Sequence, residues 1–185
     1  MVPIHRVARA RAMIDVQHKE CTVSRYLFAL LASALLVAGC SSAGEQDATR
    51  DETGEVSENE DIGVLKLRQG DCLIMPSDGI AGEEVETLEA IPCTEPHDGE
   101  VLSIVTVDGD DEAPYPGDEA ISAEAQSGCL ASFESITGTD FAIDTEWDMT
   151  FLSPTSDSWT LGDDREIVCI VLPLDGGMTT GLVTG

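Results

Sequence analysis

The chain has 185 residues, with 9 Lys and Arg against 36 Asp and Glu. Two acids (Asp15, Glu20) and five bases (Arg6, Arg9, Arg11, Lys19, Arg25) precede Cys40, which leaves 34 acids against Arg50, Lys66, Arg68 and Arg165, a formal side-chain charge of −30. Such a surface repels phosphate backbones and anionic headgroups, so nucleic acid and bare anionic membrane are disfavoured as partners; 42% apolar residues still suffice for one small core.

In chain order, the first feature is an export signal. Arg25 is followed by an uncharged apolar run, Tyr26 to Ala38, too short for a spanning helix of about 20 residues. Val37-Ala38-Gly39-Cys40 has the form of a lipobox: a branched apolar residue, two small residues that fit the signal peptidase, and a cysteine whose sulfur takes a diacylglyceryl group. Residues 1–39 therefore read as a lipoprotein signal peptide, with Cys40 the lipidation site. Two or more acyl chains such as palmitate, at about 0.8 kcal/mol per buried methylene, hold a protein on a bilayer. Positive charge ahead of the run leaves the remainder outside. The expected location is the outer face of the cytoplasmic membrane, with the lipid bilayer as partner through the Cys40 acyl anchor. The first 22 residues, which include His5, His18 and Cys21, are long and mixed for such a signal. Val23-Ser-Arg25 makes a compact basic opening and points to a translation start near residue 23.

Residues 40–63 contain no aromatic residue and few large apolar ones. Such a segment buries too little surface to offset its ordering entropy and reads as a disordered acidic linker, with a reach of about 25 Å as a flexible coil.

Residues 64–185 read as the folded domain. Glu100 to Val107 is rich in β-branched residues between two Asp-Gly pairs and predicts a strand. Arg165 to Leu172 is apolar on both faces, as a central strand would be, with Pro173 to stop it. Weaker strand patterns cover 71–75, 85–91 and 148–152. Between them Ile121, Ala125, Cys129, Phe133 and Ile136 recur at three- and four-residue spacing, with Asp118 and Glu119 in the first turn and Gly138 beyond the end, which predicts one helix. The expected class is α+β, a small, mostly antiparallel sheet with one main helix over one face. The segment from Gly176 to Gly185 is expected to dock partly through Leu182 and Val183.

Cys72, Cys93, Cys129 and Cys169 remain, an even number in an exported domain, and predict two disulfides. Three connectivities are possible; the sequential one, Cys72–Cys93 with Cys129–Cys169, is preferred because it ties neighbouring elements. Zinc is disfavoured because no two of these cysteines lie within four residues, and the sequence gives no sign of another metal or a cofactor.

An ordered series runs through the domain: Gly70-Asp71-Cys72, Pro92-Cys93, Pro96-His97-Asp98-Gly99-Glu100, Tyr115-Pro116-Gly117, Cys129, Pro154 to Trp159, and Gly162-Asp163-Asp164-Arg165 before Cys169. From about Leu67 to Leu172 the chain resembles the septum-formation domain family of actinobacterial envelope proteins. The resemblance implies an exported, disulfide-bonded domain linked to septum formation in cell division, with Gly70, Asp71, Pro96, His97, Glu100, Trp159 and Arg165 as motif residues and no catalytic residues. Asp163-Asp164 carries one acid more than the usual family pattern, which leaves the placement of Arg165 open.

His97 is the only histidine after Cys40, and its acidic neighbours invite an acid–base reading. Strand alternation would set His97 and Glu100 on opposite faces, however. A structural turn, with the imidazole bonded to a backbone group after Cys93, is favoured. Trp147 and Trp159 read as core anchors before they read as a ligand platform. Arg165 should pair with Asp157 or Asp163. Asp108 to Glu112 lacks the spacing of a calcium loop and reads as a solvated acidic loop. The leading expectation is a non-enzymatic domain that binds an envelope or division protein. The alternative is an envelope hydrolase or wall-binding enzyme using His97 with a nearby carboxylate.

Overall fold

The computed structural model describes residues 46–183, apart from 78, 81–83 and 110–112. The signal segment, the start near Val23, Cys40 and the core of the acidic loop therefore lie outside the described residues.

Among the described residues, six antiparallel strands make one sheet: β1 (Glu60–Gly63), β2 (Cys72–Ile74), β3 (Thr87–Ile91), β4 (Gly99–Thr106), β5 (Trp147–Leu152) and β6 (Glu166–Pro173). Their order across the sheet is β1-β3-β2-β4-β6-β5. A long helix, α1 (Asp118–Thr137), and a short one, α2 (Ser156–Leu161), complete the α+β architecture expected from the sequence.

The unbroken apolar run in β6 has a direct structural reason. The strand lies between β4 and β5, and its side chains alternate between two cores: Val168 and Ile170 enter one, and Ile167, Cys169 and Val171 enter the other, beneath α1. Pro173 closes the ladder opposite Trp147. In β4 the register shifts between Val101 and Ser103, a β-bulge that inserts Leu102 as an extra residue. Leu102 joins the core under α1, while Val101 and Ile104 stay with the first core.

The buried stripe of α1 is Ile121, Ala125, Cys129 and Phe133, at the four-residue spacing of a helix face packed on a sheet. Gly138 ends it in the left-handed region (φ 73°), its N–H bonded to Glu134 O. Helix and sheet approach closely at Gly128, where a Cβ would meet Val105 Cγ1 at 3.0 Å. Disulfide Cys129–Cys169 joins α1 to β6, and Cys72–Cys93 joins the start of β2 to the residue two past β3. The sequential connectivity is the one formed.

The expectation of a disordered linker through residue 63 is corrected from Gln46 onward. Arg50 and Val56 form a bridge, β1 pairs with β3, and Val56 and Ile62 are buried in the first core. Arg50 lies against Asp71, with Nη1 donating to Oδ1 at 2.6 Å and Nη2 to Oδ2 at 2.9 Å. Only 8% and 2% of the two side chains are exposed. Asp71 Oδ2 also accepts Arg68 N–H at 2.7 Å. Low apolar content pointed to disorder, yet two well-placed apolar side chains and one base find their partners in the domain, and that is enough to order the segment.

Candidate functional site

The motif residues fall into three groups. At the first, Gly70 takes φ 88° and donates its N–H to Val101 O at 2.8 Å. That left-handed turn favours glycine. It delivers Asp71 to Arg50. The guanidinium's own pKa is raised, chiefly by the hydrogen bond to Asp71, so this is a fixed ion pair with structural work to do.

The second group surrounds His97. A turn in which Glu95 N–H bonds Pro92 O brings the imidazole inward, and Nδ1 donates to Glu95 O at 2.9 Å. This is the backbone-bonded turn the sequence favoured. Asp98 Oδ1 accepts Met75 N–H at 2.7 Å. Gly99 faces Met75, whose Sδ would lie 2.8 Å from an added Cβ. The C-terminal segment closes over the turn: His97 and Thr179 exchange backbone hydrogen bonds at 3.0 and 2.8 Å, Gly181 N–H reaches Cys93 O at 2.7 Å, and Val183 N–H reaches Glu100 Oε2 at 2.6 Å. The docking expected of this segment is made mainly by backbone groups, with Val183 packed on the core beneath α1.

His97 and Glu100 are 0% and 1% exposed. Both lie beneath the C-terminal segment, and because β4 begins at Gly99 strand alternation does not extend to His97. Among the described residues, His97 Nε2 and Glu100 Oε1 are buried without a hydrogen-bond partner.

Burial holds the Glu100 carboxyl above its ordinary 4.5, against smaller opposing pulls from Val183 N–H and His97. The unfolded chain releases this proton from about 4.5, and the folded chain releases it later. The group therefore removes stability as pH rises through that window. Glu100→Gln should melt at a higher temperature than the parent at about pH 7, with the difference vanishing near pH 4. Thermal melts across that range check this, and a variant less stable at neutral pH contradicts it.

The third group is built on Trp159. Thr155 Oγ1 accepts Ser158 N–H at 3.0 Å and Ser158 Oγ accepts Thr155 N–H at 2.9 Å, a capping box that starts α2 with Ser in place of Glu or Gln. The sequence pattern does not predict this helix, since Ser, Thr and Asp are weak helix formers. α2 buries Trp159, whose Nε1–H donates to Ala113 O at 2.8 Å. Tyr115 meets its ring edge-on, and Arg165 Cζ sits 3.7 Å from its centroid. Trp159 is thus a core anchor, and Trp147 packs at the edge of the same core. Arg165 meets Asp163 at 3.2 Å, but that carboxylate is two-thirds exposed. The main seat of Arg165 is the tryptophan ring together with Trp159 O at 2.9 Å and Asp164 O at 3.0 Å. The pairing expected with Asp163 is formed, though on an exposed carboxylate and not a buried one. The extra acid is absorbed at Asp163, which takes φ 54°.

Open surface is found elsewhere, around β5. One groove of about 570 Å³ lies between α1 and β5, floored by Leu130, Phe141, Met149 and Phe151. A second, of about 820 Å³, runs past the end of β5 between Leu65 and Val85 on one side and Tyr115 and Ile121 on the other. Tyr115 Oη donates to Asp118 Oδ1 at 2.7 Å, and its pKa is pushed up to about 12 by burial and then by that bond. Nothing in the sequence singles out this surface, because its residues come from five separate segments. Among the described residues, no three His, Cys, Asp or Glu side chains are placed to hold a metal, and no helix is long and apolar enough to cross a membrane.

Fold and motif together define a small disulfide-closed α+β domain with a sealed histidine turn and an open sheet edge. Residues 35–175 match the family model described as septum formation, and the chain belongs to that family. Its role at family level is therefore in cell division. No curated protein and no solved structure matches the chain.

Proposed function

We propose that this chain is an extracytoplasmic lipoprotein, held on the outer face of the cytoplasmic membrane by acyl chains on Cys40, whose domain serves septum formation by binding a protein partner without catalysing a reaction. The observation that carries the reading is a contrast in access. His97 and Glu100 lie closed beneath the C-terminal segment, while the grooves at β5 stand open. A competing reading, an envelope hydrolase using His97 with a carboxylate, draws on the orphaned His97 Nε2 and Glu100 Oε1; the complete burial of the imidazole opposes it.

The anchor is tested by Cys40→Ser. The parent should take up an alkynyl palmitate label and sediment with membranes, and the variant should do neither. An unlabelled parent, or a variant that stays on the membrane, contradicts the anchor. For the domain, a folded His97→Gln chain should support septation as the parent does. Loss of septation with the fold intact would favour the hydrolase.

A further inference from the structure

No strand lies beyond β5 in the sheet among the described residues. Three hydrogen bonds show which of its backbone groups face outward. Glu146 C=O accepts Leu174 N–H at 2.8 Å on the β6 side. Trp147 and Met149 N–H turn the other way, to Asp144 Oδ1 at 3.0 Å and Asp148 Oδ1 at 2.8 Å. The two-residue alternation then sets the N–H and C=O of Phe151 on the outer side as well. Aspartates occupy the first part of this edge, and at its end the N–H and C=O of Phe151 are left open, a pair of groups that an incoming strand can engage.

The larger groove surrounds that open end. Glu84, Glu86, Asp118, Asp157, Asp164 and Glu166 line it, and among the described residues no Lys or Arg does. We propose that the open end of β5 docks an extended, lysine- or arginine-rich segment of a partner protein, which adds to the sheet as a further strand and places its cationic side chains among these carboxylates. This rests on the partner-binding reading and deepens it by naming the partner's chemistry. Strand addition draws affinity from main-chain hydrogen bonds and selectivity from alternate side chains. Here each side of the groove offers both kinds of wall, Val85 with Glu84 and Glu86 on one and Ile121 with Asp118 on the other. Complementary charge speeds encounter and rejects like-charged strands. A second copy of this chain is a poor match on the same ground: of its four bases after Cys40, Arg50 and Arg165 are engaged inside the domain, which leaves Lys66 and Arg68 on the surface against 34 acids.

The test uses the full chain, purified as the cell makes it, and a fluorescent eight-residue probe peptide of alternating Lys and Val, capped at both ends. Anisotropy titrations should show this peptide binding about tenfold or more tighter than its Glu-for-Lys counterpart. Joint Glu86→Lys, Asp157→Lys and Glu166→Lys changes should weaken it about tenfold or more, while Glu52→Lys, Glu55→Lys and Glu58→Lys, the same charge change at exposed sites elsewhere, should have under about a threefold effect. N-methylation of alternate peptide amides should abolish binding in one phase and spare it in the other. This readout leaves the protein unaltered and stands even if the groove variant fails to fold. Equal weakening by the two triple variants, indifference to both methylation phases, or no binding would overturn the proposal. In cells, a photocrosslinker at Thr150 should capture a basic segment. Capture at Glu52 alone would overturn the β5 site and leave partner binding standing, whereas capture at no surface position would count against partner binding itself.

Discussion

Arg50→Ala should destabilise the domain by about 3 kcal/mol, because it leaves Asp71 buried and unpaired, and breaking one side of a buried ion pair typically costs about 3–5 kcal/mol. Asp71 would keep only the Arg68 N–H, and the segment carrying Val56 would lose the clamp that holds it to the sheet. Denaturant melts measure the loss, and hydrogen exchange should show residues 46–63 opening first. The double variant Arg50→Met with Asp71→Asn should recover most of the stability, since removing both charges avoids the uncompensated carboxylate. A change below about 0.5 kcal/mol in the single variant, the range of ordinary surface substitutions, would mean that this segment is not part of the cooperative fold.

Joint replacement of Cys129 and Cys169 by Ala should cost more. The bridge spans 40 residues, which in the chain-entropy account corresponds to about 4 kcal/mol. It also joins the buried centre of α1 to β6, a strand buried on both faces. The 21-residue Cys72–Cys93 loop should be worth about 3 kcal/mol on the same account. Melts of the two double variants, with and without reductant, should rank them in that order, and the parent in reductant should fall below either. The reverse order would show that bridge position outweighs loop length here.

Some of this fold is legible in the sequence because the decisive signals are local. The two-sided apolar run of β6 and the four-residue spacing of Ile121, Ala125, Cys129 and Phe133 each follow from one element packing against a layer. What escaped depends on distant partners. Arg50 looks like a lone base in an acidic stretch until the Gly70 turn brings Asp71 to it. Thr179, Gly181 and Val183 dock through backbone groups, which leave little trace in residue type. Trp159 was legible as a core anchor, whereas the guanidinium stacked on it was not, since an arginine in so acidic a chain suggests a carboxylate first. The burial of His97 and Glu100 follows from Thr179 and Val183 folding over them, which no local pattern announces.

A domain that binds its partner at the division site must itself be found there, so the position of the protein in dividing cells is what to measure. A fluorescent copy imaged beside a membrane dye should be enriched at the septum beyond the dye, so that the doubled membrane there does not account for the signal, and it should crosslink to a division protein. An even distribution that follows the dye, with no crosslinked division protein, would contradict the account.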